Sequence, residues 1–177
     1  QSLRLCGRIA DGLMISNMCP PGFTEYAVGV VAKAARAAGR EAPSEIIQYV
    51  PCAVDADHDA AYRVAKEALG AMLPGFWSLG GRFAAARTAM LRGVEIGEAE
   101  FADAVQRLTD GEPAAQALDD RFVDQFAIAG TAEECLAQTA DYAKAGVTEL
   151  VLTIAGPCPE EGMTELGGLP GMAAGAD

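Results

Sequence analysis

Apolar side chains recur at two spacings along the chain, and the switches between them mark out alternating elements. Leu3, Cys6 and either Ile9 or Ala10 fall at helical spacing and stop at Asp11-Gly12, the tail of a helix. The apolar run "LMIS" at 13–16 then reads as a short buried strand. Pro20 and Pro21 open the next helical pattern and Gly39 closes it, the order expected when proline pre-sets a first turn and glycine accepts a left-handed cap. Residues 44–54, "SEIIQYVPCAV", are β-branched and aromatic, a second strand in which Pro51 marks a bulge or an approach to the strand's end. Asp57 enters a helix whose Ala61, Val64, Ala65, Ala68, Leu69 and Met72 share one face, and Pro74-Gly75 is its expected stop.

From 75 to about 118 the period-two pattern vanishes, and "GGRFAAARTAMLRG" and "GEAEFADAVQRLTDG" read as further helices separated by glycines. Residues 118–130, "LDDRFVDQFAIAG", read as a short helix running into a turn. Thr131 and Glu134 then have the T-x-x-E spacing of a capping box, Gly146 ends the helix they start, and "TELVLTI" at 148–154 is the third strand. A weak short helix follows, and the glycine-rich end, 169–177, is expected to be mobile. The sum is three strands and five or six helices. Helical crossovers make the strands parallel. Three parallel strands leave open edges that call for a second copy or a further segment.

Composition narrows the classes. The chain has 177 residues, 51% of them apolar, enough for one core. Its formal net charge is −12 with scattered basic residues, which leaves no cationic stripe for nucleic acid. Cys6, Cys19, Cys52, Cys135 and Cys158 are odd in number, far apart and free of C-x-x-C, so neither a disulfide framework nor a zinc site is indicated, and a reducing cytoplasmic setting fits. The most apolar run, "YAVGVVAKAARAAG", is broken by Lys33 and Arg36, so no signal peptide or membrane span is expected. The first residue is Gln1, which hints at a processed chain or a piece of a longer one.

Three blocks carry a family resemblance. "LRLCGRIADGLMIS" with "AARAAGR" is similar to the helix, sixth strand and next helix of the luciferase-like flavin- or deazaflavin-dependent oxidoreductases. "QYVPCAVDADHDAAYRVAKE" resembles the seventh strand and following helix, and "FAIAGTAEECLAQTADYAKAGVTELVLTIAGP" the last helix and eighth strand. The nearest branch is the methylenetetrahydromethanopterin reductases. The resemblance implies the C-terminal part of a (β/α)8 TIM barrel over 1–168, with a helical insertion at about 75–118, incomplete as a barrel on its own. It also implies coenzyme F-420 (a deazaflavin) or FMN as cofactor, with hydride passing between the reduced cofactor and a small organic substrate. The expected partners are a homo-oligomer mate or the missing N-terminal half.

In a barrel, chemistry sits at the C-terminal strand ends. On the resemblance, Ser16 and Asn17 hydrogen-bond a flavin edge or a phosphate, against the plainer reading that Asn17 only makes a turn. Met18 and Cys19 share that rim as substrate-facing residues. Cys19 lacks a histidine partner, because the one histidine, His58, begins a helix and faces solvent, so no Cys/His nucleophile is built. Gly156 permits close backbone approach of a cofactor, or is an ordinary turn. Cys52 lines the pocket or only packs. Trp77, with Phe76, Arg82 and Arg87, forms either a substrate lid or a core anchor with solvated charges. Glu133 and Glu134 belong to a helix start. No catalytic residue and no metal ligand is assigned. The non-enzymatic alternative is a truncated relative that survives as a self-associating or partner-binding α/β domain.

Overall fold

Elements alternate as the apolar spacing requires: α1 (Ser2–Ile9), β1 (Gly12–Ile15), α2 (Pro21–Ala37), β2 (Glu45–Val54), α3 (His58–Arg82), α4 (Ala84–Met90), α5 (Glu98–Thr109), α6 (Ala114–Ala117), α7 (Asp120–Phe126), β3 (Ile128–Gly130), α8 (Ala132–Lys144), β4 (Glu149–Ile154) and α9 (Pro159–Gly167). The computed structural model describes residues 1–157 and 159–168, apart from the side chain of Arg82. The tail expected to be mobile, 169–177, lies outside the described residues.

All strands are parallel and organised by β2. One edge of β2 carries β1 at its start (Ile15 beside Gln48) and β3 at its end (Ile128 beside Cys52). The other edge carries β4, from Ile47 beside Glu149 to Cys52 beside Ile154. Even-numbered residues of β2 turn their backbone groups to β4: Ile46 O accepts from Thr148 N, and Cys52 O from Ala155 N. Odd-numbered ones face the opposite edge, as when Asp55 N donates to Gly130 O. Pro51 is odd and falls in the gap between β1 and β3. Its missing N–H is therefore lost where no neighbouring strand requires a donor, and β2 runs straight through.

The sequence reading of three strands is corrected to four among the described residues. β3 is only three residues long, too short for any period to show, and 127–130 was expected to be a turn. Two groups outside the local sequence make it a strand. On one side it pairs with the end of β2; on the other, Gln138 of α8 donates from Nε2 to Ala129 O at 2.7 Å and accepts from Ala129 N at 3.0 Å. The side-chain amide thus does for β3 what a neighbouring strand would do, satisfying an edge that would otherwise be open.

Alternate residues of β2 give the sheet two different faces. Ile46, Gln48, Val50 and Cys52 are buried beneath helices: α1 and α2 cover Leu13, Ile15 and Ile46, while α8 and α9 cover Val50, Cys52, Ile128 and the inner side of β4. Gly7 lets α1 lie against α2, since a Cβ there would stand 2.2 Å from Val31 O.

The helices α3 to α7 form a module with a core of their own, in which Leu69, Leu73, Trp77, Phe101, Phe122 and Phe126 are buried. Phe101 stacks on Trp77 at 4.7 Å and meets Phe126 edge-on at 5.8 Å. One expectation changes here. The helix from Asp57 does not stop at Pro74-Gly75 but continues to Arg82. The proline costs the helix roughly 3 kcal/mol. Burial of Leu69, Leu73 and Trp77, four residues apart along one stripe that spans the proline, offsets that at about 1.5–3 kcal/mol per large apolar side chain. α3 and α7 share this core with the helices between them.

Candidate functional site

The second face of the sheet is the candidate site. Its rows follow from the register: Met14, Ile47 and Glu149; then Tyr49 and Val151; then Pro51 and Thr153. Met14 is 63% exposed, Glu149 and Thr153 are exposed, and Ile47, Tyr49 and Val151 are half-buried. Only the C-terminal end is closed, where Ala53 and Ala129 pack into the core of the helical module. The result is an apolar shelf with a tyrosine and a threonine on it and a helical wall at the strand ends.

The loop at 16–20, after β1, forms the rim. Ser16 is exposed and Asn17 half-buried. Asn17 Oδ1 is shielded from solvent, with no hydrogen-bond donor among the described residues. Met18 adopts φ +61°, a left-handed conformation that costs a residue with a side chain about 1–2 kcal/mol. It is held there because its side chain, 2% exposed, is embedded in the core of the helical module. Met18, expected to face substrate, is therefore an anchor between rim and module. Cys19 is half-buried, and burial pushes its thiol up to about 11, so it is neither a thiolate nor a nucleophile at neutral pH.

Other expected residues lie elsewhere. Cys52 points to the helix-covered face and packs with Cys135, away from the shelf; the hydrogen bond to Cys135, and then burial, push its thiol up. Trp77 is a core residue, stacked on Phe101 with the Arg87 guanidinium 4.1 Å above its ring, and is no lid. The side chain of Arg82 lies outside the described residues. Gly156 follows β4 at φ +122°, exposed, and an added Cβ would come no nearer than 3.6 Å, to Val64. Backbone conformation, not crowding, is what requires glycine there.

His58 begins α3 as expected, and it is paired. Its Nδ1 lies 3.1 Å from Glu134 Oε2, its ring stacks on Tyr62 at 4.2 Å, and the Tyr62 hydroxyl donates to Asp124 Oδ1 at 2.7 Å. The hydrogen bond to Glu134 raises the imidazole pKa, while the Thr131 backbone N–H and then His58 lower that of Glu134. Burial, then Asp124, raise the Tyr62 phenol. A cleft of about 470 Å³ among Lys66, Asp103, Arg107, Gln116 and Asp119 includes no strand-end residue, and its walls are tied by Lys66–Asp120 and Arg107–Glu112 ion pairs. Among the described residues no group of three His, Cys, Asp or Glu is placed to hold a metal, and no helix is long and apolar enough to cross a membrane.

Sequence reasoning missed Tyr49, Thr153 and Gln48. The first two were readable from parity, since they alternate with residues of the apolar set. Gln48 sits on the buried face itself, a polar residue in an apolar row, 1% exposed, and that is the signal that could have found it.

Residues 1–149 match the model of the family described as luciferase-like monooxygenase. The 5,10-methylenetetrahydromethanopterin reductase of Methanopyrus kandleri is 26% identical over 152 residues, covering 85% of this chain and 41% of that protein. The solved structure of the coenzyme F420-dependent tetrahydromethanopterin reductase from the same organism superposes with TM-score 0.68 at 22% identity, over 94% of this chain and 46% of the other. An F420-dependent secondary alcohol dehydrogenase, in complex with an F420-acetone adduct, gives 0.60 at 16% identity over 92% and 43%. The oxygenating constituent of 3,6-diketocamphane monooxygenase from Pseudomonas putida, in complex with FMN, gives 0.57 at 16% identity over 98% and 45%. The chain spans less than half the length of these relatives, and its four parallel strands form part of the TIM-barrel architecture they share. The chain belongs to the luciferase-like monooxygenase family.

Proposed function

We propose that this chain is part of an oxidoreductase that transfers hydride between a reduced deazaflavin or flavin and a small organic substrate, with the deazaflavin, coenzyme F420, favoured. The observation that carries the reading is the shielded, donor-less Oδ1 of Asn17 at the rim of an uncovered apolar shelf. A flavin or deazaflavin ring carries one N–H between two carbonyls, which fits an acceptor of this kind with a hydroxyl beside it. Asn17 would accept from that N–H, Ser16 would donate to an adjacent carbonyl, and Gly156 would let backbone approach the ring. When bound and reduced, the cofactor supplies a hydride, both electrons travelling with the hydrogen to the acceptor carbon of the substrate. Ile47, Tyr49 and Val151 offer the shelf that keeps water from the ring. Two of the relatives carry F420 in their names, which supports the deazaflavin over FMN.

Fluorescence titration of the full-length protein with F420 and with FMN tests this. Saturable binding is expected, tighter for F420 and weakened by Asn17→Ala. Failure to bind either cofactor overturns the proposal.

A second reading is motivated by Met14, which stands 63% exposed on a parallel sheet face that such folds normally cover. In that reading the domain self-associates through the shelf and catalyses nothing. Light scattering separates the two: an obligate dimer that Met14→Glu dissociates, with no cofactor binding, supports self-association, and a monomer that binds cofactor removes it.

A further inference from the structure

Two polar residues are buried in the core between α2 and the sheet, and neither belongs to the shelf. Thr24, in the first turn of α2, and Gln48, in the middle of β2, are 0% and 1% exposed. Their bonds form one line. Thr24 Oγ1 donates to Gln48 Oε1 at 2.7 Å, and Gln48 Nε2 donates to Cys19 O at 2.7 Å. That carbonyl lies one residue beyond Met18, whose backbone is held at φ +61°.

A buried amide on a strand face otherwise made of Ile46, Val50 and Cys52 weakens the core unless both its ends are satisfied. Here one end is spent on the loop at 16–20, at the Cys19 carbonyl, and the other on Thr24 in the first turn of the helix that follows that loop. The strained backbone of Met18 is fixed from two sides: its side chain is locked in the helical module, and the next carbonyl is tied to the sheet through Gln48. Asn17, between the exposed Ser16 and this clamp, is thereby set in place before any ligand arrives. Lowering the entropy lost on binding is what such prior ordering achieves.

We infer that Gln48 is a positioning residue: through Thr24 and the Cys19 carbonyl it presets the rim loop, and so the Asn17 amide, for a ligand carrying an N–H donor such as the cofactor ring. The ligand identity rests on the function proposed above; the positioning does not.

The test compares wild type with Gln48→Met, which keeps the volume and removes both bonds, and with the milder pair Thr24→Val and Thr24→Ser in case Gln48→Met does not fold. Hydrogen–deuterium exchange needs no ligand. Amides at 17–19 are expected to exchange about tenfold faster in Gln48→Met, less so in Thr24→Val, and at the wild-type rate in Thr24→Ser, with α5 and α8 unchanged. In the second arm, the dissociation constant for F420 is expected to rise about tenfold in Gln48→Met. Unchanged exchange at 17–19 in both Gln48→Met and Thr24→Val overturns the positioning role. So does unchanged affinity in variants whose loop has loosened. Wild type that binds no cofactor, with the loop loosening as expected, defeats the proposed function and leaves the clamp established.

Discussion

His58 Nδ1 and the Thr131 backbone N–H meet the same carboxylate oxygen, Oε2 of Glu134, at 3.1 and 2.8 Å. Glu134 also gives the ordinary capping bond, its own backbone N–H donating to Thr131 Oγ1. One carboxylate therefore joins the start of α3, which opens the helical module, to the start of α8, which clamps β3.

That junction titrates in a defined direction. His58 is raised above its ordinary 6.5, so its contribution to stability is complete below 6.5 and is lost as pH rises through the higher, folded-state value. Glu134 is lowered below its ordinary 4.5, so its contribution is present above 4.5 and is lost as pH falls through the folded-state value. The pair is strongest between those two ordinary values. The thermal midpoint of wild type is expected to exceed that of His58→Gln at a pH of about 5.5, with the gap closing by about 8. Parallel curves for the two proteins across that range would show that the pair is uncoupled from folding.

The cap itself is measurable apart from the histidine. Thr131→Ala removes the side-chain acceptor of Glu134 N and is expected to cost about 1 kcal/mol in urea unfolding at any pH from about 6 to 8. Thr131→Ser should restore most of it. A loss that appears only near the titration of His58 would assign the effect to the ion pair instead.

Met18 combines a strained backbone with a buried side chain, and the two are separable. Met18→Ala keeps the left-handed strain and gives up the packing, at about 2–5 kcal/mol. Met18→Gly gives up the same packing but relieves the strain, so it is expected to be the more stable of the two by about 1 kcal/mol. Denaturant unfolding of both variants reads the difference, and Met18→Gly falling below Met18→Ala would show that φ +61° is not a strained conformation in this loop.

The helical module depends on one aromatic cluster. Phe101 is fully buried between Trp77, Phe122 and Phe126, so Phe101→Ala is expected to cost about 3–5 kcal/mol. Trp77 is the single tryptophan, and its emission should shift to the red as water reaches the cavity. Because Met18 is rooted in the same core, exchange at the rim loop should rise as well.

The clamp on β3 gives a last prediction. Gln138→Leu preserves the volume but leaves Ala129 N and O without partners, at about 1–3 kcal/mol for each buried group left unmade. Amide exchange should rise at 128–130 and not in β4. Uniform exchange in the variant would mean that pairing to β2 alone sustains the strand.

Much of the fold was written in local patterns. The alternation of 44–54, the T-x-x-E box at 131–134 and the proline and glycine punctuation of α2 each act within a few residues, so the chain alone determined a parallel α/β unit with capped helices and the rim loop at the end of the first strand. What the sequence left open lies in contacts across long separations. β3 exists because Gln138 and β2 flank it; α3 passes through Pro74 because Trp77 finds Phe101 on another helix; Cys52 turns to a core rather than to a pocket because of which face the register gives it. Thr24 and Gln48 read as isolated polar residues 24 positions apart until packing puts 2.7 Å between their oxygens. Periodicity determines which side of an element is buried, but only tertiary packing decides what lies against that side, and the function proposed for this chain depends on that second decision.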